Sequence, residues 1–394
     1  MRILLANETY PPNLNGCAVF TQRLAQNLAK KGHKVAVIAP SEKFGNKKET
    51  DEFGVTIYRL RSVPIKVIHP NFRVITKPDI YPVVRKIVRE FEPDVIHIQN
   101  HFTLGRACLK AAKKTYTPIV GTNHFMPDNL VQFAPNFIEG TMIRIMWNDF
   151  LKVYNKLDYV TAPSYAAVKM LKSVGYEKKA EVVSNGMEFD KFKKRPVSET
   201  LLKKYGIFKS VPTFISIGRI EKDKNLDVMM EALAIHLKKY KAQLILVGNG
   251  KFEKEFKKLA KLLKVEDRVF FTGRISGKAV QEIYSLADVY IGAGTAELQG
   301  LSVMEAMASG LPVLAVNAVA LPELVKNGVN GYLFELNPAD LAKKMEMILS
   351  DKKKLEKMAE RSLEIISEHD VSKTMAKFER IYKRVIFDKH EFRT

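Results

Sequence analysis

Short apolar runs alternate with amphipathic segments along the first half of the chain. Residues 20–33 place Phe20, Leu24 and Leu28 at helical spacing, and Gly32 is typical of a helix end. The apolar runs, which predict strands, lie at 2–7, 34–40, 94–100, 118–124 and 158–164. Short strands that alternate with helices predict an α/β fold with a parallel, doubly wound sheet.

The same pattern begins again after Pro196. Residues 213–219 and 243–250 predict strands, and a helical pattern follows each of them. We therefore predict a second α/β unit with its own first strand. The domains are expected at 1–190 and 197–373, with a linker near Pro196.

The last segment of the chain, 374–394, predicts a helix with one apolar face. A face of this kind needs a surface to cover. The face consists of Met375, Phe378, Ile381, Tyr382 and Val385.

Bulk composition narrows the class of protein. The 394 residues exceed the size at which one core keeps growing, so two domains are expected. Cys17 and Cys108 form no disulfide framework or metal site, and they fit a reducing compartment. Met1 leads almost directly into an apolar strand, so no signal peptide is expected. No apolar run reaches the ~20 residues that a membrane helix needs.

The chain is strongly basic. Its net charge is +21, its isoelectric point is about 9.6, and the first 200 residues carry +13 of that charge. A basic surface attracts nucleic acid, anionic lipid or an anionic substrate. A proteome that is generally rich in lysine is the alternative explanation.

Residues 295–312, TAELQGLSVMEAMASGLP, are the most informative stretch. Gly300 allows a close backbone approach to a ligand, and Ser302 is expected to cap a helix over 303–309. A helix start of this kind offers N–H groups to a phosphate. Glu297 and Glu305 offer carboxylates to sugar hydroxyls. The stretch therefore predicts a site for a sugar diphosphate.

A second motif follows the strand at 213–219. Arg219 and Lys224 stand in a strand-to-helix loop, and a helix is expected from near Asn225. Two fixed cations in such a loop hold a diphosphate, because a guanidinium binds it bidentately and an ammonium acts as a point charge.

These two motifs resemble the donor site of the family 4 retaining glycosyltransferases. The marks of that family are two glutamates at this spacing, a small-residue helix with Gly-x-Pro, and Gly-Arg-x-x-x-x-Lys. The resemblance covers nearly the whole chain. It implies the GT-B fold, in which two doubly wound Rossmann-like domains face each other across a cleft and the final helix crosses back onto the first domain.

The resemblance also assigns residues to the donor. It implies that Arg219 and Lys224 stabilise the leaving diphosphate, that Glu305 holds the ribose, and that Glu297 contacts the sugar as a catalytic residue. It implies further donor contacts from Gly16, Gly248, Arg274, Ile275, Gly300, Leu301 and Ser302.

The first domain supplies the remaining candidates. His124 follows the strand at 118–124, and the resemblance makes it a catalytic residue that contacts the donor sugar. Asn15 and Asp128 are expected on the acceptor side, where Asp128 either orients His124 or touches the acceptor. The Asn-Gly-x-Ala sequence around Gly16 resembles the branch that transfers glucose to diacylglycerol.

The predicted function is therefore retaining transfer of a hexose, with glucose from UDP-glucose as the first choice. Diacylglycerol at the cytoplasmic membrane face is the favoured acceptor, which makes the protein cytoplasmic and peripheral on the membrane. No Asp-x-Asp pair lies near a strand end, so we expect no catalytic metal and no cofactor. The alternatives are a soluble transferase, acting on a polysaccharide or small acceptor with a donor such as GDP-mannose, and a non-enzymatic nucleic-acid-binding protein.

The expected lipid contact lies in 125–156. This stretch mixes apolar, aromatic and basic residues, a combination that interfacial binding needs. The alternative is that the same side chains pack in the core of the first domain. The candidates are Phe133, Phe137, Met142 and Trp147, beside Lys152 and Lys156.

Overall fold

The chain forms two compact α/β units, Met1–Asn185 with the C-terminal helix, and Gly186–Val371. The structure, a computed structural model, describes residues 1–12, 15–42, 45–64, 73–75, 80–127, 136–193, 195–275 and 277–391. The chain passes from one unit to the next between Asn185 and Gly186, before the segment around Pro196 that the sequence suggested.

The N-terminal domain is built on one largely parallel sheet in the order β3-β4-β2-β1-β6-β7-β8-β9, with β5 paired to β4. Among the strands that the structure describes in this domain, only β3 and β5 run antiparallel, both against β4. The strands are Arg2–Ala6 (β1), Lys34–Ser41 (β2), Lys47–Thr50 (β3), Thr56–Pro64 (β4), Arg73–Ile75 (β5), Val95–Ile98 (β6), Ile119–Thr122 (β7), Tyr159–Ala162 (β8) and Ala180–Val182 (β9). The helices are Gly16–Lys30 (α1), Tyr81–Phe91 (α2), Thr103–Thr115 (α3), Asn136–Tyr154 (α4) and Tyr165–Ser173 (α5).

The C-terminal domain has a fully parallel sheet in the order β12-β11-β10-β13-β14-β15. Its strands are Thr213–Ile217 (β10), Gln243–Val247 (β11), Val269–Gly273 (β12), Val289–Gly292 (β13), Val313–Val316 (β14) and Gly331–Phe334 (β15). Its helices are Glu199–Tyr205 (α6), Leu226–His236 (α7), Glu253–Leu262 (α8), Lys278–Leu286 (α9), Leu301–Ala308 (α10), Leu321–Leu324 (α11), Pro338–Leu349 (α12) and Lys352–Ile366 (α13). Short 3-10 helices lie at Phe189–Phe192, Lys222–Lys224 and Ser367–His369.

The predicted doubly wound α/β architecture is confirmed in both domains. The central strands β1, β6 and β7 are mostly apolar and nearly every residue in them is buried, as expected for parallel strands covered on both faces. Several strands end earlier than predicted. β6 ends at Ile98 and β7 at Thr122, so the polar residues after them belong to the loops.

The C-terminal helix Val371–Glu391 (α14) packs on the N-terminal domain, as predicted. The buried Phe378 ring lies 5.9 Å from Phe20 and 5.3 Å from His97, measured between ring centroids. The Tyr382 hydroxyl lies 2.7 Å from Nδ1 of His97. The predicted apolar face is therefore the one that the helix buries.

We predict that Phe378→Ala destabilises the N-terminal domain by about 3–5 kcal/mol, because it removes a fully buried ring and leaves a cavity. The matched control is Phe387→Ala on the same helix. The Phe387 side chain is 60% exposed, and its loss should change stability by less than about 0.5 kcal/mol. Urea unfolding of both variants measures the difference. Equal stability of the two would contradict this packing.

Candidate functional site

The predicted donor residues of the C-terminal domain gather at one edge of its sheet. Arg219 follows β10, Gly248 follows β11, Arg274 follows β12 and Glu297 follows β13. These strands are parallel neighbours, so the loops after them share one edge. In open α/β sheets ligands bind beyond this carboxyl edge.

The two predicted cations belong to one charge network at this edge. The Lys224 ammonium lies 2.5 Å from Oε1 of Glu297 and 3.4 Å from Oδ2 of Asp223. The same Asp223 oxygen accepts a hydrogen bond of 3.1 Å from the Arg219 guanidinium. Burial lowers the pKa of Lys224, but Glu297 and Asp223 outweigh it, so the pKa lies above its ordinary value. Lys224 is therefore a permanent cation.

Asn225 and Thr295 lock the loops after β10 and β13 together. Asn225 adopts a left-handed backbone, with φ of 49°, and its side-chain amide donates to the carbonyl of Ala293 over 2.7 Å. The Thr295 N–H donates to the carbonyl of Asp223 over 3.3 Å. Ala293, Gly294 and Thr295 thus lie beside the two cations.

Gly248 is required by the packing of two loops. A Cβ atom at this position would lie 1.8 Å from the carbonyl oxygen of Gly218, and φ is +139°. The Gly248 N–H also donates to the carbonyl of Gly273 over 3.0 Å. The absence of a side chain here lets the loop after β11 pack on the loop that carries Arg219. Donor binding by Gly248 stays a prediction.

Arg274 and Ile275 lie next to each other after β12. The Arg274 side chain is exposed, whereas Ile275 is half-buried against the domain core. An exposed arginine and a neighbouring backbone are available to a base, and their role stays a prediction.

The helix after Glu297 starts earlier than predicted. Gly300 is the N-cap, with φ of 74°, and α10 begins at Leu301, so the prediction that Ser302 caps the helix is wrong. The left-handed Gly300 turns the chain into the helix, and a Cβ there would lie 2.6 Å from the Leu321 side chain. No side chain of the N-cap bonds the first turn. The N–H groups of Leu301 and Ser302 therefore lie at the helix end that suits an anion.

Glu305 lies one turn into α10 and is oriented by a tyrosine. The Tyr284 hydroxyl donates to Oε2 of Glu305 over 3.1 Å. Burial and the Glu305 carboxylate raise the pKa of Tyr284 well above its ordinary range, so the hydroxyl keeps its proton. Tyr284 was not predicted as a site residue, since it lies on α9, far from both motifs in sequence.

In the N-terminal domain, Asn15 and Gly16 form the start of α1. The Asn15 side chain accepts from the N–H of Ala18 over 2.8 Å, so it caps the helix, and Gly16 is exposed beside it. Burial raises the pKa of the neighbouring Cys17 thiol to about 12, which leaves it a poor nucleophile.

His124 follows β7 at the carboxyl edge of the N-terminal sheet. Its Nε2 lies 3.1 Å from Oε1 of Gln99, and its ring packs 4.8 Å from Phe20. Burial lowers the pKa of His124 to about 3, so the ring is neutral at physiological pH. A neutral imidazole suits a sugar hydroxyl better than a phosphate. Asp128 lies outside the described residues.

Glu8 is a buried carboxyl at the same edge that sequence reasoning missed. Its Oε1 accepts from the Leu104 N–H over 2.7 Å, at the start of α3. Its Oε2 has no hydrogen-bond partner among the residues that the structure describes. Burial raises the pKa of Glu8 from its ordinary 4.5 to about 7, although the Leu104 N–H and Arg106 act against it. The signal was weak, because one glutamate after a strand is common in any α/β protein.

The expected lipid contacts divide into buried and exposed side chains. Trp147 is buried, with its ring 5.5 Å from Phe125 and 5.4 Å from Phe150, so its assignment to a lipid surface is wrong. Phe137 is 87% exposed and Ile145 is 60% exposed. Helix α4 thus turns its indole into the core and keeps other apolar groups outside. Met142 is half-buried, Lys152 and Lys156 are exposed, and Phe133 lies outside the described residues.

In the described part of the chain, no three His, Cys, Asp or Glu side chains converge as metal ligands. Within the same residues, no helix is both long enough and apolar enough to span a bilayer.

We predict that Glu8 makes the native state less stable as pH rises from about 5 to 7. The folded-state pKa lies above the unfolded one, so the native protein holds a proton that the unfolded chain has lost. Glu8→Gln keeps an oxygen that accepts from the Leu104 N–H. The fall in its free energy of unfolding over this pH range should be smaller than in the wild type by about 3 kcal/mol. Urea midpoints from pH 5 to 8 measure it.

The control for this experiment is Glu52→Gln, which removes an exposed carboxyl of the same domain. The loss of stability between about pH 5 and 7 should remain in the Glu52→Gln variant. Parallel pH curves for the wild type and Glu8→Gln would show that Glu8 does not titrate in this range.

Two family models match consecutive parts of the chain. The model for Glycosyltransferase Family 4 matches residues 14–191, and the model for Glycosyl transferases group 1 matches residues 197–364. The two matches lie one in each domain, apart from a few residues after Asn185.

Similar proteins agree with these matches. An alpha-monoglucosyldiacylglycerol synthase of Streptococcus pneumoniae is 29% identical over 85% of this chain and 75% of its own length. A GDP-mannose-dependent alpha-mannosyltransferase of Corynebacterium glutamicum is 26% identical over 85% of this chain and 77% of its own length.

Solved structures agree on the fold. A sucrose-phosphate synthase from Thermosynechococcus elongatus has a TM-score of 0.81 at 16% identity, covering 98% of this chain and 100% of its own. An Anabaena protein in complex with UDP has a TM-score of 0.76 at 20% identity, with the same coverage. The family models together span most of the chain, and the chain belongs to the family 4 glycosyltransferases of GT-B fold.

Proposed function

We propose that this glycosyltransferase moves glucose from UDP-glucose to diacylglycerol with retention of the anomeric configuration. The observation that carries the donor part is the network of Arg219, Asp223, Lys224 and Glu297 at the carboxyl edge of the C-terminal sheet. It sets two cations beside the uncapped start of α10, an arrangement that suits a diphosphate.

In this proposal the residues of the C-terminal domain act on the leaving group. Arg219 and Lys224 stabilise the negative charge that develops on the β-phosphate as the bond from glucose C1 to oxygen breaks. Glu305, oriented by Tyr284, accepts hydrogen bonds from the ribose hydroxyls. Glu297 accepts them from the sugar ring, and Arg274 with the backbone of Ile275 contacts the base.

The acceptor hydroxyl attacks C1 from the face that the diphosphate leaves. A bond forms between the acceptor oxygen and C1, and the hydroxyl proton passes to the departing phosphate, so UDP is released. Because burial keeps His124 neutral, its imidazole can hydrogen-bond a sugar hydroxyl and does not attract the diphosphate. No metal ion takes part, because the two cations carry the electrostatic role.

Diacylglycerol as acceptor is supported by the Streptococcus pneumoniae relative, whose name assigns it the synthesis of monoglucosyldiacylglycerol. It is supported further by the exposed Phe137 and Ile145 of α4, with the exposed Arg144 between them. Apolar side chains flanking a cation on one helix face suit an anionic membrane surface. The protein would then work as a peripheral protein at the cytoplasmic membrane face.

A second candidate is transfer to a soluble acceptor, with GDP-mannose as donor. The Corynebacterium glutamicum relative, named a GDP-mannose-dependent mannosyltransferase, favours it. The same charge network would serve either nucleotide, because it faces the phosphates. Nucleic-acid binding without catalysis has no support from the family assignment.

We predict that Arg219→Ala and Lys224→Ala each lower kcat/KM for UDP-glucose by about 10²–10³, since each removes a preorganised charge. The control is Lys222→Ala in the same loop, whose ammonium lies 5.0 Å from the Phe252 ring and should matter little. Assays contain diacylglycerol vesicles and EDTA, in which the wild type is expected to stay active. Near-normal turnover of both folded variants would exclude this placement of the diphosphate.

We also predict that the protein binds vesicles containing phosphatidylglycerol better than neutral vesicles, and less well at high salt, because salt screens the cations. Replacing Phe137 and Ile145 together by Ser should reduce the binding that remains at high salt. The control is Leu262→Ser, which removes a 79% exposed apolar side chain from the C-terminal domain. Vesicle co-sedimentation measures both.

A wild-type protein that ignores anionic vesicles at low salt would contradict the membrane assignment. Equal transfer to a soluble acceptor without vesicles would favour the second candidate.

A further inference from the structure

Two cations and two carboxylates make up the charge network, so its net charge is zero. Arg219 and Lys224 share one oxygen of Asp223, and Lys224 holds Oε1 of Glu297 at 2.5 Å. A neutral cluster attracts a diphosphate weakly, because each cation is already matched by an anion. One carboxylate must therefore move away from Lys224 before the ammonium can interact fully with a phosphate.

The two carboxylates differ in how easily they can move away from the cations. The Asp223 side chain is 7% exposed, its backbone carbonyl accepts from Thr295, and Asn225, two residues further on, donates to Ala293. The Glu297 side chain is 25% exposed, and it is longer by one methylene group. Its loop is anchored at Ala293 and Thr295, and the Glu297 carbonyl accepts from the Ala320 N–H over 3.4 Å, so the exchange moves the side chain and not the loop. Glu297 is thus the anion that exchanges, while Asp223 keeps Arg219 and Lys224 together.

We propose that Glu297 is a resident counter-anion of Lys224, which the diphosphate of the donor displaces. Displacement releases the Glu297 carboxylate for the sugar hydroxyls, so its contact with the sugar forms only after the diphosphate has taken Lys224. This exchange rests on the proposed donor site. Glu297 therefore competes with the phosphate for Lys224 and weakens phosphate binding, whereas an ordinary ligand-binding residue strengthens it.

The test uses inorganic pyrophosphate and UDP as probes, with affinities measured by titration calorimetry. Glu297→Gln keeps the shape of the side chain and removes the competing charge. It should bind pyrophosphate and UDP about three- to tenfold more tightly than the wild type, the size expected for a partly exposed ion pair. Its affinity for uridine, which has no phosphate, should stay unchanged. Its turnover should fall.

Two controls separate displacement from a general gain in positive charge. Glu305→Gln removes a nearby carboxylate that is bonded to Tyr284, and it should not tighten pyrophosphate. In a Lys224→Met background, Glu297→Gln should have no effect, because the two residues act as one pair. A gain that persists without Lys224, or one that Glu305→Gln reproduces, would overturn the exchange.

Failure of the exchange and failure of the proposed donor give different results. If folded Glu297→Gln binds pyrophosphate no more tightly than the wild type, the exchange is wrong, whatever nucleotide the enzyme uses. If pyrophosphate binds more tightly in the variant but the wild type does not bind UDP, the exchange stands and the uridine donor is wrong.

Discussion

The ion pair between Lys224 and Glu297 joins the two motifs on which the proposed donor site depends. It forms because β10 and β13 are parallel neighbours, which brings the loops after them to the same sheet edge. The Asn225 side-chain amide, which donates to the Ala293 carbonyl, and the Thr295 N–H, which donates to the Asp223 carbonyl, then hold those loops together. The same strand pairing brings the start of α10, which follows β13, to this edge.

The N-terminal domain presents a different chemistry at its own carboxyl edge. Burial lowers the pKa of His124 there to about 3, so its ring is neutral, and it raises the pKa of Glu8 to about 7, so this carboxyl keeps its proton below neutral pH. A neutral imidazole offers hydrogen bonds but no positive charge to a diphosphate, whereas the carboxyl edge of the C-terminal sheet carries Arg219 and Lys224.

Local sequence patterns predicted what depends on local structure. Arg219 and Lys224 lie in one short loop, so their spacing alone indicated a pair of cations. The buried face of α14 followed from helical periodicity. Asp223 stands between the two cations in sequence, but an acidic residue in such a loop is too common to indicate a partner.

Features that depend on tertiary packing could not be predicted in this way. The contact of Tyr284 with Glu305 depends on how α9 lies beside α10, and the hydrophobic pattern of the sequence does not indicate that packing. Helix α4 is apolar around much of its circumference, so its pattern did not show that Trp147 faces inward and Phe137 outward. The helix start at Leu301 depends on the left-handed backbone of Gly300, which took the place of the expected Ser302 cap.

A crystal structure of the protein with bound UDP tests the proposed donor site through the distances from Lys224 and Arg219 to the β-phosphate. We predict hydrogen-bond distances from both side chains, with the Glu297 carboxylate moved away from Lys224 and the ribose on Glu305. A diphosphate bound away from the loops after β10 and β13, or a Lys224 that still holds Glu297 beside an occupied site, would contradict it.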